Sequence, residues 1–333
     1  MPIVSMRIAP QLVALAALMA LVSLFYPAFL SLNLHDGRLV GPIIDVLKRS
    51  APVALLAVGM TLVIATRGID LSVGTIMAIS GAVAALAISS GWGMGAAIGL
   101  ALCAGAVAGL WNGLLVAVVG IQPFVATLIL MTMGRGVAQL ITDGRILTFN
   151  DPAFSWLGSG VLLGLPVPTW IWLITAVGVA LLMRRTALGL LIEAIGINRR
   201  ASALAGVNAM VLLIAVYVAS GLCAALAGMI VTADIRGADA NNAGLWLELD
   251  AILAVVIGGN SLLGGRFSIA ASVIGALIIS TITIGIRLIG FLSEYNLIIK
   301  AVLVLVILVL QSPRIAQEWH FWRMEVARQR GKA

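Results

Sequence analysis

Asp70 is the residue whose position most demands a chemical explanation. It lies in the run Arg67-Gly-Ile-Asp-Leu-Ser-Val-Gly74, between two strongly apolar segments. An ionisable side chain at membrane depth is costly and marks a functional position by default. Gly68 and Gly74 permit the backbone to break there. A broken helix persists in lipid only where it lines a cavity or is buried in protein, and such breaks frame solute sites in transporters. A plain turn is the other reading, with Asp70 capping a helix from Leu71 and Arg67 as its local partner. The sequence weighs the two equally.

A second group of polar and aromatic residues stands beside apolar runs: Ser72, Gln122, Asn241, Asn242, Trp246 and Asp250. Neutral hydrogen-bonding groups and a ring face suit a hydroxyl-rich solute, because they bind it without requiring charge. Taken singly, each also fits loop or interface decoration, with Trp246 in the aromatic belt. Arg135 and Arg287 lie inside apolar runs, where they line a path, snorkel or pair with a carbonyl. The segment Gly258-Gly-Asn260-Ser-Leu-Leu-Gly264 repeats the glycine spacing of Gly68 to Gly74, with Asn in place of Asp. That hints at an internal duplication. Its likeness to a phosphate loop fails, because the required Lys is absent after Gly264.

Catalysis and metal binding find no support. His35 and His320 are far apart in the sequence, and no Cys, His or Glu grouping has metal spacing. Cys103 and Cys223 fall within apolar runs and read as packing residues. The chain is expected to bind no cofactor and to be no enzyme.

The elements that must carry these residues follow from composition. Of 333 residues, 62% are apolar and 10% charged. Soluble domains carry about 25% charged residues, so lipid must solvate most of this surface. The net charge of +7 fits basic loops on the cytoplasmic side better than a nucleic-acid site, since the basic residues form no stripe. A crossing helix needs about 20 apolar residues. Ten runs qualify or nearly so: Ile8–Leu30, Ala51–Ala65, Leu71–Ile88, Met94–Val119, Pro123–Thr142, Val167–Met183, Ala209–Ala233, Ala251–Gly264, Ile269–Leu288 and Leu297–Leu310. The expected fold is an all-α polytopic membrane protein of about ten helices, some short or discontinuous. It forms one permease-like domain over 1–333, membrane-spanning over 8–312. The run after Arg7 is too long for a cleavable leader and reads as a retained span.

Orientation follows from Arg184, Arg185, Arg199 and Arg200 in one connection and from Arg314, Arg323, Arg328, Arg330 and Lys332 in the tail. With ten spans these and both termini share the cytoplasmic side. Arg38, Lys48 and Arg49 resist this. Either Leu39–Ser50 is an exterior interfacial helix, or the count is off by one. Asp143–Ser159 and Asp234–Glu248 then face outward. The tail over 313–333, with Trp319, Phe321 and Trp322 among basic residues, reads as a helix lying on the inner leaflet.

Three stretches in order resemble the permease subunits of ribose-type, binding-protein-dependent sugar ABC importers. They are "GIDLSVG" at Asp70, "ELDAILAVVIGG" from Glu248 to Gly259, and the connection Arg184 to Asn208. Within that family the chain is most similar to the galactofuranose permeases, through "APVALLAVGMTLVIAT", "IQPFVATLILM", "GRGVAQLIT" and "ADIRGADANNAGLWLELDAILAVVIGG". Arg67 departs from the Gly usual before "GIDLSVG", and Asn260 from a small residue. The resemblance implies residence in the bacterial inner membrane beside a second, homologous permease, as a heterodimer or homodimer. It also implies a periplasmic sugar-binding protein and a cytoplasmic ATPase with two nucleotide-binding halves, which holds ATP and Mg. The connection 184–208 would dock that ATPase through Glu193, Gly196, Asn198, Arg199, Arg200, Gly206 and Asn208, with a short helix near Asn198 to Gly206. A permease for ribose or another pentose or hexose is the neighbouring alternative. An ion-coupled secondary transporter or a non-transporting membrane protein are the distant ones.

Overall fold

The computed structural model describes residues 2–35, 37–290 and 295–310. The tail expected on the inner leaflet lies outside them. The chain opens with α1 (Pro2–Phe25), a single turn at Pro27–Leu30, the hairpin β1 (Asn33–His35) and β2 (Arg38–Val40), and α2 (Pro42–Arg49). The bundle then builds through α3 (Ala51–Ala65), α4 (Val73–Ser89), α5 (Met94–Leu114) with a wider turn at Leu115–Val119, and α6 (Pro123–Ile141). Next come β3 (Leu147–Thr148), α7 (Pro152–Ser159), β4 (Val161–Leu162), β5 (Leu165–Pro166), α8 (Val167–Arg185), α9 (Leu188–Ile197) and α10 (Arg199–Leu204). The order closes with α11 (Ala209–Ile235), β6 (Gly237–Ala238), α12 (Leu247–Ile257), α13 (Ile269–Ile289) and α14 (Asn296–Leu310).

Among the described residues, six helices are long and apolar enough to cross a membrane: α1, α5 with its wider turn, α6, α8, α11 and α13. The pair α2 and α3, bent by 42°, makes a seventh if it is one span. Each of the ten apolar runs falls on a helix, but α4, α12 and α14 are too short to count by length. The eighth run is also displaced. Its helix starts four residues before Ala251 and stops at Ile257, because Gly259 adopts a positive φ of 81°. Likewise α1 ends at Phe25 rather than Leu30, where Pro27 opens a separate turn. The stretch Asp143–Ser159 is not all loop: α7 occupies its second half and buries Phe154 completely.

The bundle centre is α3 with α11. Every residue of α3 except Pro52 is buried, as befits a helix apolar on all sides. Against α11, α5 presents Gly105, Gly109 and Gly113, one per turn. A Cβ at Gly105 would lie 2.5 Å from the Gly221 carbonyl oxygen and 2.7 Å from the Ala225 Cβ. In lipid, where apolar burial gives little drive between helices, small residues that let backbones touch supply the packing.

Long-range contacts sort the connections into two ends. At one end β3 pairs with β6, Leu147 opposite Ala238, and Lys48 pairs with Asp234 at 2.6 Å. The Leu39 amide donates to the Gly164 carbonyl there, and Trp172 Nε1 to the Leu47 carbonyl. Arg38, Lys48 and Arg49 therefore share an end with 143–166 and 234–238. At the other end the Gly265 amide donates to the Ala65 carbonyl, and Gln11 Nε2 to the Gly258 carbonyl. The connection 184–208 lies there too.

Candidate functional site

The break between α3 and α4 is built from buried polar groups. Asp70 is wholly buried. Its Oδ1 accepts from the Ser72 amide at 3.0 Å and the Ser72 hydroxyl at 2.6 Å, and its Oδ2 accepts from the Ser220 hydroxyl on α11 at 2.9 Å. Asn112 on α5 donates to Ser72 Oγ at 2.8 Å, and Thr127 on α6 donates to the Ile69 carbonyl. Three helices thus hold this break inside the bundle. The helix starts at Val73 rather than Leu71, and there Asp70 bonds only to Ser72, the residue before it, so Asp70 does not cap α4. Asp70 and Ser72 together hold the break.

Arg67 is not the partner of Asp70. With φ at 64° it turns away, donating from Nε to the Leu263 carbonyl and from Nη2 to the Ile197 carbonyl, both at 2.8 Å. One guanidinium therefore ties the end of α3 to the Gly258–Gly264 stretch and to the end of α9. The second break resembles the first. Asn260, 8% exposed, accepts from the Ser268 amide at 2.6 Å and donates to Ser272 Oγ at 2.8 Å. Thr61 on α3 donates to the same Ser272 oxygen, much as Ser220 serves Asp70. Gly258 packs against α13, where a Cβ would lie 2.6 Å from the Ala271 carbonyl oxygen. Gly264 abuts Arg67.

At the opposite end, Asn241, Asn242 and Trp246 belong to the connection between β6 and α12. Asp239 folds it: its Oδ1 accepts the amides of Asn241 and Asn242 at 3.1 Å, and its Oδ2 accepts from the Asn242 side chain at 2.8 Å. That side-chain bond first, then the two amides and nearby Arg135, hold the Asp239 carboxyl below its ordinary range, against a smaller opposing effect of burial. From α6, Arg135 donates to the Ala240 and Ala243 carbonyls, and Gln139 to Asn241 Oδ1 at 2.7 Å. The connection reaches down to α4, where Gly74 meets Gly244, and a Cβ on Gly74 would lie 2.6 Å from Glu248 Oε2. Trp246 precedes α12 with φ at 67° and is 54% exposed. A cavity of about 500 Å³ opens beside it, lined by Trp246, Asp250, Lys300, Ser280, Thr283 and Arg287 among others. Lys300 bridges both Asp250 oxygens at 2.9 and 3.0 Å. A ring face, an ion pair and two hydroxyls can together bind a polyol.

The residues expected to dock an ATPase gather at the end that holds 184–208. Asn198 Oδ1 accepts from the Ala201 amide and so caps α10, while Asn208 Oδ1 accepts from the Val211 amide and caps α11. Gly206, with φ at 86°, makes the turn between them. Arg199, Arg200 and Leu204 are exposed, Leu204 at 91%. Gly196 is buried where α9 crosses Ala65 and Gly265. Glu193 lines a separate cleft of about 240 Å³ with Arg184 and Phe267. Gln122 lies at this same end, apart from the other solute candidates, in another cavity of about 240 Å³.

The solute set read from sequence is thus divided: Asp70 with Ser72 in the core, Gln122 at one end, and Asn241, Asn242, Trp246 and Asp250 at the other. Sequence reasoning missed Ser220, Asn112, Gln139, Asp239, Glu248 and Lys300. Only Lys300 carried a local signal, as a cation inside an apolar run. The rest are joined by contacts across 40 residues or more, or are ordinary loop residues.

Over residues 43–308 the chain matches the family described as branched-chain amino acid transport system / permease component. It is 61% identical to the galactofuranose transporter permease protein of Escherichia coli, over 92% of this chain and 89% of that one. It is 44% identical to the fructose import permease protein of Bifidobacterium longum, over 92% and 87%. It is 40% identical to the ribose import permease protein of Escherichia coli, over 91% and 93%. No solved structure matches it. With most of its length accounted for in this way, the chain belongs to the branched-chain amino acid transport system / permease component family.

Proposed function

We propose that this chain is the membrane-spanning subunit of an ATP-driven importer that carries a monosaccharide, galactofuranose first, into the bacterial cytoplasm through the inner membrane. The observation that carries this reading is the 61% identity to a galactofuranose permease along nearly the whole chain. It is a transport subunit, not an enzyme. In this reading ten helices span or enter the bilayer (α1, α3, α4, α5, α6, α8, α11, α12, α13 and α14), with α4 starting from one break and α12 ending at the other. The end with 184–208 faces the cytoplasm. There α10 offers Arg199, Arg200 and exposed Leu204 to a groove on an ATPase with two nucleotide-binding halves, which holds ATP and Mg. A sugar-binding protein delivers the solute at the other end, near Asn241, Asn242, Trp246 and the cavity at Asp250. A second permease completes the pathway, as a heterodimer with a homologous chain.

Arg67 and Gly196 support a route from ATPase to solute site. α9 is packed on the end of α3 and tied to it by the Arg67 guanidinium. Closure of the ATPase therefore moves the α3–α4 break with α10, a two-state element biased from both sides. Fructose or ribose as the carried sugar is the neighbouring reading, favoured by identities of 44% and 40% to permeases so named. The test is uptake by the reconstituted complex of permease, ATPase and binding protein, with galactofuranose, fructose and ribose compared. Galactofuranose should be taken up with the highest kcat/KM, and uptake should cease without ATP. Preference for ribose or fructose would reassign the sugar, and ATP-independent accumulation by this chain alone would refute the importer reading.

A further inference from the structure

The connection 239–246 enters the bilayer without being a helix. α12, which follows it, has 11 residues and so spans about 16 Å at roughly 1.5 Å per residue. It is followed by Gly258, whose carbonyl accepts from Gln11 at the end that holds 184–208. The first turn of α12 therefore lies near the middle of a hydrocarbon core of ~30 Å. Packing along α4 agrees. Ala238 shares a packed cluster with Ala82 and Ala85, Ala240 with Ala78 and Ile79, and Gly244 meets Gly74 in the first turn of that helix. The segment thus descends α4 from the end where β3 pairs with β6.

Non-helical backbone persists at such depth only where it is buried in protein or lines water. Here the two conditions divide by face. The inward face is satisfied within the chain: Arg135 Nη1 donates to the Ala240 and Ala243 carbonyls at 2.9 and 2.6 Å, and Asp239 takes the amides of Asn241 and Asn242. Buried Glu248 and Asp239 oppose the Arg135 charge. The other face is open, with Asn241, Asn242, Leu245 and Trp246 exposed. Gln139 donates to Asn241 Oδ1, and Asn242 Nδ2 donates to Asp239 Oδ2. Asn241 Nδ2 and Asn242 Oδ1 are left without a partner among the described residues. A neutral donor and a neutral acceptor on adjacent residues match the hydroxyls of a sugar, and they are costly to leave against lipid tails.

We propose that 239–246 reads the solute at mid-membrane depth, where Asn241 and Asn242 offer a donor and an acceptor to the hydroxyls of a passing monosaccharide, and that Arg135 is the residue that positions it. The proposal rests on the importer reading; it adds the depth of that contact, the atoms that make it and the side chain that fixes them. Arg135 itself touches no solute, since its bonded nitrogen is spent on the inward carbonyls.

The test is made in proteoliposomes that hold the permease pair, its ATPase and the binding protein, with this chain carrying Cys103→Ala. Asn242→Cys should react with a small impermeant methanethiosulfonate added on the binding-protein side. The modified complex should still hydrolyse ATP yet stop importing galactofuranose. Leu163→Cys, in an exposed turn at that end, should react with no effect on import. Arg135→Met should lower sugar carried per ATP by about fivefold or more, the scale of one lost hydrogen bond. Arg135→Lys should recover most of that, because one nitrogen serves both carbonyls. Should Arg135→Met fail to assemble, Gln139→Met frees Asn241 without stranding a charge and should show the same fall. An unreactive Asn242→Cys in a complex that imports would mean a segment covered by the partner and would overturn this inference alone. An unchanged ratio in Arg135→Met, or no recovery in Arg135→Lys, would remove Arg135 as the positioning residue. No import by the unmodified chain would instead remove the importer reading.

Discussion

Asp70 receives three hydrogen bonds from Ser72 and Ser220 in a fully buried setting. Asp70→Ala strands both hydroxyls and the Ser72 amide, whereas Asp70→Asn can still accept from Ser72 and donate to Ser220. Leaving a buried donor without its partner costs about 1–3 kcal/mol, and such losses overlap. Asp70→Ala should therefore lower the unfolding temperature of the purified protein clearly more than Asp70→Asn. Equal stability of the two would show that the cage around Asp70 is unimportant. Asp239 permits a pH argument. Its folded carboxyl titrates below the ordinary value, so its contribution is complete above the unfolded pKa and is lost only as pH falls through the depressed one. Uptake should show no step from this residue above about pH 5. A step there that vanishes in Asp239→Asn would contradict the geometry. The importance of Asp70 was legible as a lone charge between apolar runs. Its partners were not, because Ser220 stands 150 positions away and Ser residues in apolar helices are common.

Among elements, α3, α9 and the Gly258–Gly264 stretch form a joint fastened by one side chain. Arg67→Gly removes both carbonyl contacts and leaves the Ile197 and Leu263 oxygens to water. The α3–α4 break keeps its Asp70 cage, so the chain should still assemble with its ATPase. Sugar transported per ATP hydrolysed should nevertheless fall, by about threefold or more if the strap supplies a coupling energy of the usual 1–3 kcal/mol. Arg67→Lys should not restore it, since a lysine cannot span two carbonyls as a planar fork does. An unchanged ratio in Arg67→Gly would reduce the strap to local packing. The seam between α5 and α11 makes a different prediction. Gly221→Leu would drive a side chain into Gly105 and Gly109 and should abolish recovery of monodisperse protein by size exclusion. Helix positions were legible to within a few residues because apolar length is a strong signal. The start of α12 was not, since its first turn carries Glu248 and Asp250 and resembles a loop. The division of the solute candidates between two ends was equally hidden, because sequence adjacency to an apolar run does not say at which end of the helix a residue emerges.

For the whole molecule, sidedness is the property on which the docking surface depends. Basic residues occur at both ends, but they are not equivalent. Lys48 is neutralised by Asp234 at 2.6 Å, and the same end holds Asp45, Asp143, Asp151 and Asp239 against Arg38, Arg49, Arg145 and Arg236. The connection 184–208 carries Arg184, Arg185, Arg199 and Arg200 against Glu193 alone. The positive-inside bias counts basic residues in short connections, and here it acts through a segment with almost no opposing charge. The basic residues at the end that holds Lys48 belong to a nearly balanced surface. Two cysteine positions report on this in Cys103→Ala chains: Asn241→Cys at one end and Ala205→Cys at the other, both exposed. In intact cells an impermeant maleimide should label Asn241→Cys and leave Ala205→Cys untouched until the membrane is opened. The reverse pattern would turn the molecule over, put α10 beyond reach of any cytoplasmic ATPase, and leave Arg67 with no movement to transmit.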